Sequence, residues 1–359
     1  MCSAAHGGFR SHPLLCILPP HILHEIAKNG TAEQRAAALE TLAVDRTMRS
    51  LRAAEPLTAG LARALPQRPP VPPKQRRTVY DAAGSQQLPG RAARQEGAAA
   101  VGDAAVDEAY DGLGATFDFY LANYHRNSID DAGLPLDASV HFGVRYDNAF
   151  WNGRQMVFGD GDGKLFNRFT RSLDVIGHEL THGVTAHEAG LVYSKQPGAL
   201  NESLSDVFGS LIKQYSKQQN AAQADWLIGA ELLARGVKGL ALRSMKAPGT
   251  AYDDAVLGKD PQPAHMKDFV RMTDDNGGVH INSGIPNHAF YLAAIAIGGR
   301  AWDAAGRIWY ETLRDPRLKP NANFRAFARL AVATAGRLYP AAGKEATAVT
   351  EAWKQVGVL

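Results

Sequence analysis

Disulfides cannot organise this chain. Its only cysteines, Cys2 and Cys16, both fall within the first twenty residues, so no cross-link can staple the remaining length. At 359 residues and 45% hydrophobic content the core is large enough to need none, and both thiols are read as reduced and incidental. An excess of one charge is missing too. Lysine and arginine number 39 against 36 acidic residues, a net of +3, and no block of like charges interrupts the mixture. That excludes the electrostatic footprint of a nucleic-acid binder and a polybasic membrane anchor. Long apolar runs are also lacking: the longest, at 289–297, falls short of the about 20 residues that cross a bilayer. The opening M-C-S-A-A-H-G-G-F-R-S-H-P-L-L-C-I-L-P-P has only residues 14–18 as an apolar stretch, closed by Pro19 and Pro20, so no cleavable secretory signal is read there. No internal repeat with a period of 20–50 residues is visible.

What is present divides the chain into segments. Over 20–48, Ile22, Leu23, Ile26 and Ala27, then Thr31 as a cap with Leu39 and Leu42 after it, predict two short amphipathic helices, and residues 1–50 are taken as one small helical unit. Residues 51–77 are rich in proline and arginine and predict an extended, protease-accessible linker. From 78 to about 163, alternating segments such as S-V-H-F-G-V-R-Y and R-Q-M-V-F-G predict short strands. The runs Y-D-N-A-F-W-N-G and G-D-G-D-G predict turns, and a helix is expected at about 103–124. Beyond Arg171, helical periodicity appears at 172–188, 199–217, 222–235, 283–298, 302–313 and 322–338. The reading is an α+β fold in two domains, a β-rich one over 78–187 and a mainly helical one over 188–359.

The chemistry concentrates between His178 and Asp206. In D-V-I-G-H-E-L-T-H the imidazoles of His178 and His182 project from one face of a helix, four residues apart, and can reach one metal ion. A third ligand is needed, and Glu202 in G-A-L-N-E-S-L-S-D supplies it at the start of the next helix. Two histidines and a glutamate leave the fourth tetrahedral position to water, as in a catalytic rather than a structural zinc site. Glu179 lies at another helical angle, where it would face that water as general base. Asp206, one turn beyond Glu202, would orient a ligand histidine. The plainer alternatives are a surface glutamate, a helix-capping Asn201 or a histidine satisfied in the core, and the agreement of residue types, spacing and helical context weighs against them. The pattern H-E-x-x-H-x-x-G-x-x-H is excluded, because Thr185 and Glu188 stand where its glycine and third histidine would be.

Two further groups fit the same chemistry. His280, in the glycine-rich turn D-D-N-G-G-V-H-I-N-S-G-I before a helix starting near Ser283, could donate to an oxyanion, with Asp275 fixing its tautomer. Tyr193 in A-G-L-V-Y could supply a second donor, although a tyrosine alone is more often packing.

The tracts H-E-L-T-H-G-V-T, A-G-L-V-Y, G-A-L-N-E-S-L-S-D, N-A-F-W-N-G and N-G-G-V-H-I-N-S-G-I together resemble thermolysin-like zinc metallopeptidases (peptidase family M4) in order and over about 78–357. The first seventy residues, with L-P-P-H-I-L-H-E-I-A, resemble the short propeptide of the protealysin subgroup. The resemblance implies one catalytic zinc on His178, His182 and Glu202, with Glu179 as base, His280 and Tyr193 as oxyanion donors and Asp275 as the partner of His280. It implies that Asn148 and Ala149 bind substrate backbone and that Arg243 contacts a substrate carbonyl. Phe166, Phe169, Val175, Ile228 and Leu242 would line an apolar pocket selecting cleavage on the amino side of Leu, Phe, Ile or Val.

One departure stands out. Against the family's double calcium site, this chain keeps Asp174 and Asp225 but has Lys213, Leu227 and Ala230 at acidic positions, so two calcium ions are not expected and the lysine ammonium would replace their charge. Other expectations follow from the resemblance: peptide or protein substrates, the chain's own propeptide as inhibitor, a monomer, and an extracellular location reached without a readable signal. The linker sequence itself leads to the expectation that the precursor clips itself before Leu51 or Leu61, away from the linker prolines, and a minor alternative to the incidental reading of its thiol has Cys16 reach the ion as a thiolate. A catalytically silent zinc protein of this fold is the alternative function. An aminopeptidase is disfavoured because no G-A-M-E-N-like anchor is found.

Overall fold

The computed structural model describes residues 15–54, 72–340 and 343–359. The first strand, β1 (Leu15–Cys16), is followed by helices α1 (Pro20–Asn29) and α2 (Ala32–Ala54). Pro20 at the first helical position suits α1, whose apolar residues Ile22, Leu23 and Ile26 are buried. Thr31 and Gln34 form a reciprocal cap on α2: Gln34 N donates to Thr31 Oγ1 at 3.3 Å and Thr31 N to Gln34 Oε1 at 2.9 Å. The second helix is not short. With neither glycine nor proline between Ala32 and Ala54 nothing breaks it, so residues 51–54, expected to be extended linker, are helical. Leu51 therefore lies in a helical backbone, whereas Leu61 falls outside the described residues.

Six strands form one sheet in the order β1-β5-β6-β4-β2-β3, comprising β2 (Arg77–Asp81), β3 (Arg91–Gln95), β4 (Leu136–Val140), β5 (Ala149–Trp151) and β6 (Met156–Phe158) with β1. The run Y-D-N-A-F-W-N-G, expected as a turn, contains strand β5. Its three residues are wholly buried, and it pairs antiparallel with β6 on one side and β1 on the other. Helix α3 (Ala104–Tyr124) packs on the sheet, and the Asp103 side chain caps it by accepting from the amides of Ala105 and Val106.

The rest is mainly helical: α4 (Leu173–His187), α5 (Lys195–Ser216), α6 (Asp275–Asn282), α7 (Gly284–Ile297), α8 (Ala304–Leu313), α9 (Phe324–Leu338) and α10 (Lys344–Gln355). The helix expected over 222–235 is absent. Trp226 and Gly229 take positive φ values of 57° and 69°, and the Asp225 carboxylate accepts from Leu227 N at 3.0 Å, a local turn that competes with a helix. Strand β7 (Leu227–Ile228) lies there instead, antiparallel to β8 (Arg243–Ser244). Helix α10 was not anticipated.

Helices α4 and α5 cross closely because two glycines face the crossing. A Cβ on Gly177 would meet Ile212 Cδ1 at 2.6 Å, and one on Gly209 would meet the Asp174 carbonyl oxygen at 2.3 Å. Only a bare backbone permits that approach, and it brings the α5 carboxylates up to the α4 histidines.

Candidate metal centre

His178 and His182 sit one turn apart on α4, and Glu202 faces them from α5; one ligand atom from each lies within 4.8 Å of the others, and all three residues are buried. The ring nitrogens away from the centre are engaged. His178 Nδ1 lies 2.8 Å from Asp206 Oδ1, and His182 Nδ1 lies 2.8 Å from Asn201 Oδ1 and 2.9 Å from Ser205 Oγ. Both Nε2 atoms therefore turn inward, 3.0 Å apart.

That arrangement tests whether a cation fits. With Nδ1 of each ring committed outward, the two Nε2 atoms offer lone pairs to each other and must share one proton. Burial works against charge on His178, but Asp206 and Glu202 raise it to about 9, whereas burial holds His182 down at about 3. Glu202 Oε2 meets no hydrogen-bond donor. A divalent cation in place of that proton would satisfy both imidazoles and the orphaned carboxylate oxygen, and the nitrogen and oxygen donors suit zinc.

Glu179 points elsewhere on the same helix. Its Oε2 accepts from Trp151 N of strand β5 at 3.0 Å, its Oε1 has no protein partner, and burial raises its pKa well above the usual carboxylate range. A carboxylate raised this way readily takes up a proton.

The opposite wall carries Tyr193 and His280. The expected turn around His280 proves to be a run of positive φ at Asn276, Gly277 and Gly278 within α6, followed by one helical turn that carries the histidine. Asp275 clamps it at two points, with Oδ1 2.5 Å from Nδ1 and Oδ2 accepting the His280 amide at 2.9 Å. Burial opposes a charge on His280, yet Asp275 and Glu202 raise it to about 9, so Nε2 carries a proton to donate. The Tyr193 hydroxyl donates to Glu202 Oε1 and lies 3.2 Å from His280 Nε2.

A segment of this same chain lies along the centre. Strand β1 pairs antiparallel with β5, Leu15 opposite Trp151 and Cys16 opposite Phe150. The Cys16 carbonyl lies 2.9 Å from His280 Nε2, and Ile17 N donates to the Ala149 carbonyl at 3.2 Å. Arg243 Nη1 donates to the Ile17 carbonyl at 3.1 Å, and Leu18 N donates to Asn148 Oδ1 at 3.0 Å. Extended backbone alternates its faces. Ile17 belongs to the main hydrophobic core, as do Leu15, Leu18 and the residues Phe166, Phe169, Val175, Ile228 and Leu242, whereas the Cys16 side chain enters a smaller cluster with Val44, Phe142, Tyr146, Phe150 and Val157. The thiol does not reach the ligands as expected. Its Sγ donates to the Leu18 carbonyl at 3.9 Å, and the backbone of Cys16 faces the centre instead.

Asp206 does more than orient His178. Its two oxygens accept from Arg243 Nη2 and Nε, each at 2.8 Å, and Oδ2 also accepts from Asn287 Nδ2 at 2.8 Å; burial would raise it, but Arg243 and His178 hold it at about 2. Sequence reasoning missed Ser205 and Asn287 and named Asn201 only in a plainer alternative, as a helix cap, whereas it lies inside α5. Asn201 and Ser205 stand four apart on the face that carries Glu202, a usable signal; Asn287 had none. Also missed was Asp45, which accepts from the Tyr146 hydroxyl at 2.6 Å and from Asn148 Nδ2 at 3.1 Å.

At the far end of the crossing, Lys213 Nζ lies 2.9 Å from Asp174 Oδ2, 2.9 Å from Asp225 Oδ1 and 2.6 Å from the Leu227 carbonyl. Burial disfavours the ammonium, and the two aspartates more than offset it.

The sequence matches two family descriptions end to end: thermolysin metallopeptidase, catalytic domain, over residues 73–186, and thermolysin metallopeptidase, alpha-helical domain, over residues 189–358. It is 54% identical over 354 residues to an extracellular metalloprotease of Pectobacterium carotovorum subsp. carotovorum, covering 97% of this chain and 98% of that one. A thermolysin of Alicyclobacillus acidocaldarius subsp. acidocaldarius is 40% identical over 263 residues, 71% of this chain but 46% of that protein. Among solved structures, the precursor of protealysin, a metalloproteinase from Serratia proteamaculans, superposes with a TM-score of 0.87 at 54% identity, covering 96% of this chain and 99% of that one.

Proposed function

From the premise that this chain belongs to the thermolysin family of zinc metallopeptidases, we propose that it is a latent endopeptidase whose N-terminal segment lies in its own substrate cleft. It is a peptide-bond hydrolase of the zinc-dependent kind. In our reading His178, His182 and Glu202 hold the ion, which when bound would polarise the substrate carbonyl and lower the pKa of a water. Glu179 takes the proton from the attacking water through its unpartnered Oε1. His280 and Tyr193 donate to the carbonyl oxygen as negative charge develops on it, and Asp275 keeps His280 protonated and aimed. Asn148, Ala149 and Arg243 hold the backbone beyond the cleaved bond. The apolar residues Phe166, Phe169, Val175, Ile228 and Leu242 select a hydrophobic side chain on its carboxyl side.

The observation that carries this reading is the seat of Cys16, Ile17 and Leu18 on His280, Ala149, Arg243 and Asn148. Residues 1–50 act as inhibitory propeptide, 51–77 as linker, and 78–187 and 188–359 as the two domains flanking the cleft. Cleavage before Leu51 requires the end of α2 to unwind, because a protease binds extended chain; cleavage before Leu61 is the other maturation site. Lys213 takes the place of calcium. The protein acts outside the cell, as the names of relatives described as extracellular suggest, and in our reading it does so as a monomer.

The test is Glu179→Gln. Zinc should stay stoichiometric while hydrolysis of a denatured protein falls below about 1%, since a positioned base contributes roughly 100-fold or more. Fragments from the parent should begin with Leu, Phe, Ile or Val and vanish with a zinc chelator. An active glutamine variant would sink the assignment.

A further inference from the structure

We infer that the Cys16–Ile17 peptide bond is itself a cleavage site, which the precursor hydrolyses within its own cleft. The inference rests on the reading above, in which His280 addresses the carbonyl of the cut bond and Arg243 the carbonyl of the next residue.

Four backbone groups in succession meet the matching partners. The Cys16 carbonyl meets His280 Nε2 at 2.9 Å, and Ile17 N meets the Ala149 carbonyl at 3.2 Å. The Ile17 carbonyl meets Arg243 Nη1 at 3.1 Å, and Leu18 N meets Asn148 Oδ1 at 3.0 Å. Residue numbers rise from the contacts on His280 and Ala149 to those on Arg243 and Asn148, which fixes the direction of the chain along the cleft. The segment therefore has the polarity and register of a substrate, with Cys16 before the bond and Ile17 after it. Ile17 is fully buried, and isoleucine is among the side chains the apolar pocket should select. The adjoining Pro19 and Pro20 fix the backbone beyond Leu18.

Hydrolysis adds one water across the amide. The C–N bond breaks, a carboxylate ends the fragment at Cys16, and an ammonium group begins the remainder at Ile17. That remainder stays docked, because its attachments lie elsewhere. His21 Nε2 lies 3.0 Å from the Tyr252 hydroxyl, Asp147 N donates to Thr41 Oγ1 at 3.1 Å, and Asp45 holds Tyr146 and Asn148. The cut thus frees one side of the cleft while the other remains blocked.

The experiment follows the purified zinc-loaded precursor by intact mass and N-terminal sequencing. A chain starting at Ile17 should accumulate at a rate independent of protein concentration, be absent from Glu179→Gln, and be lost in Ile17→Asp while that variant, once matured in the linker, hydrolyses an added peptide as the parent does. A second readout needs no turnover: in the intact Glu179→Gln precursor, the amides of Ile17 and Leu18 should exchange hydrogen at least about 100-fold more slowly than exposed amides, and Asn148→Ala should release Leu18 first. Active enzyme that never cuts before Ile17, or an unprotected Ile17 amide, overturns the inference and leaves the proposed function standing. A zinc-loaded protein that hydrolyses no added peptide even after maturation in the linker overturns both.

Discussion

Helices α4 and α5 carry two buried polar clusters, and the contrast between them shows what a folded chain does with charges it cannot expose. Near the middle of the crossing, two imidazoles with their Nε2 atoms 3.0 Å apart converge with a glutamate that has an orphaned oxygen. A turn earlier on α4, Asp174 meets Lys213 from α5, whose ammonium also reaches Asp225 and a carbonyl oxygen. The second cluster carries its cation on a covalent tether; the first is built to receive one from solution. Burying a charge is tolerated when it is paired and hydrogen-bonded, and the two clusters meet that condition by different means.

The sharpest way to break the contrast is at the first cluster. His182→Ala should abolish stoichiometric zinc binding and reduce peptide hydrolysis at least about 100-fold, measured by metal analysis and turnover on the same sample. Full zinc retention would show that the ligands lie elsewhere. Of intermediate size is the loss of the tethered cation. Lys213→Ala leaves Asp174 buried without its partner and should destabilise the fold by about 3 kcal/mol, read from denaturant midpoints, with zinc content unchanged. Asp225 is 43% exposed, so Asp225→Asn should cost much less. The smallest effect expected is that of calcium: millimolar calcium should raise the melting temperature of the parent by less than about 2 °C, because the lysine already occupies the position. A large rise that disappears in Asp174→Ala would erase the distinction between the clusters.

Much of this was legible because it rests on local pattern. H-E-x-x-H on a helix requires only i, i+4 geometry, and α4 runs over Leu173–His187 against an expected 172–188. The helix expected at about 103–124 is likewise found, as α3 over Ala104–Tyr124. The failures came where tertiary contacts decide. Residues 222–235 have helical periodicity, but Trp226 and Gly229 bend the chain so that Ile228 lies opposite Arg243. The segment Ala149–Trp151 looked like part of a turn because Asn and Gly flank it, yet pairing on both sides makes it a strand. Asn287, 81 residues from Asp206, comes to it only through packing. Cys16 was assigned through its side chain, but strand alternation turned the thiol away and the carbonyl inward.

The carboxylate of Asp206 is shared property. Arg243, which holds the Ile17 carbonyl, and His178, a proposed ligand of the metal centre, draw on the same two oxygens. Any replacement of Arg243 meant to retune recognition beyond the cleaved bond would also strip a cation from Asp206 and strengthen its pull on the His178 proton. In this architecture substrate preference and ligand basicity are pleiotropic, so a lineage altering one would carry the other with it, and compensating changes would be expected first at Asn287, the donor to that carboxylate that remains beside His178.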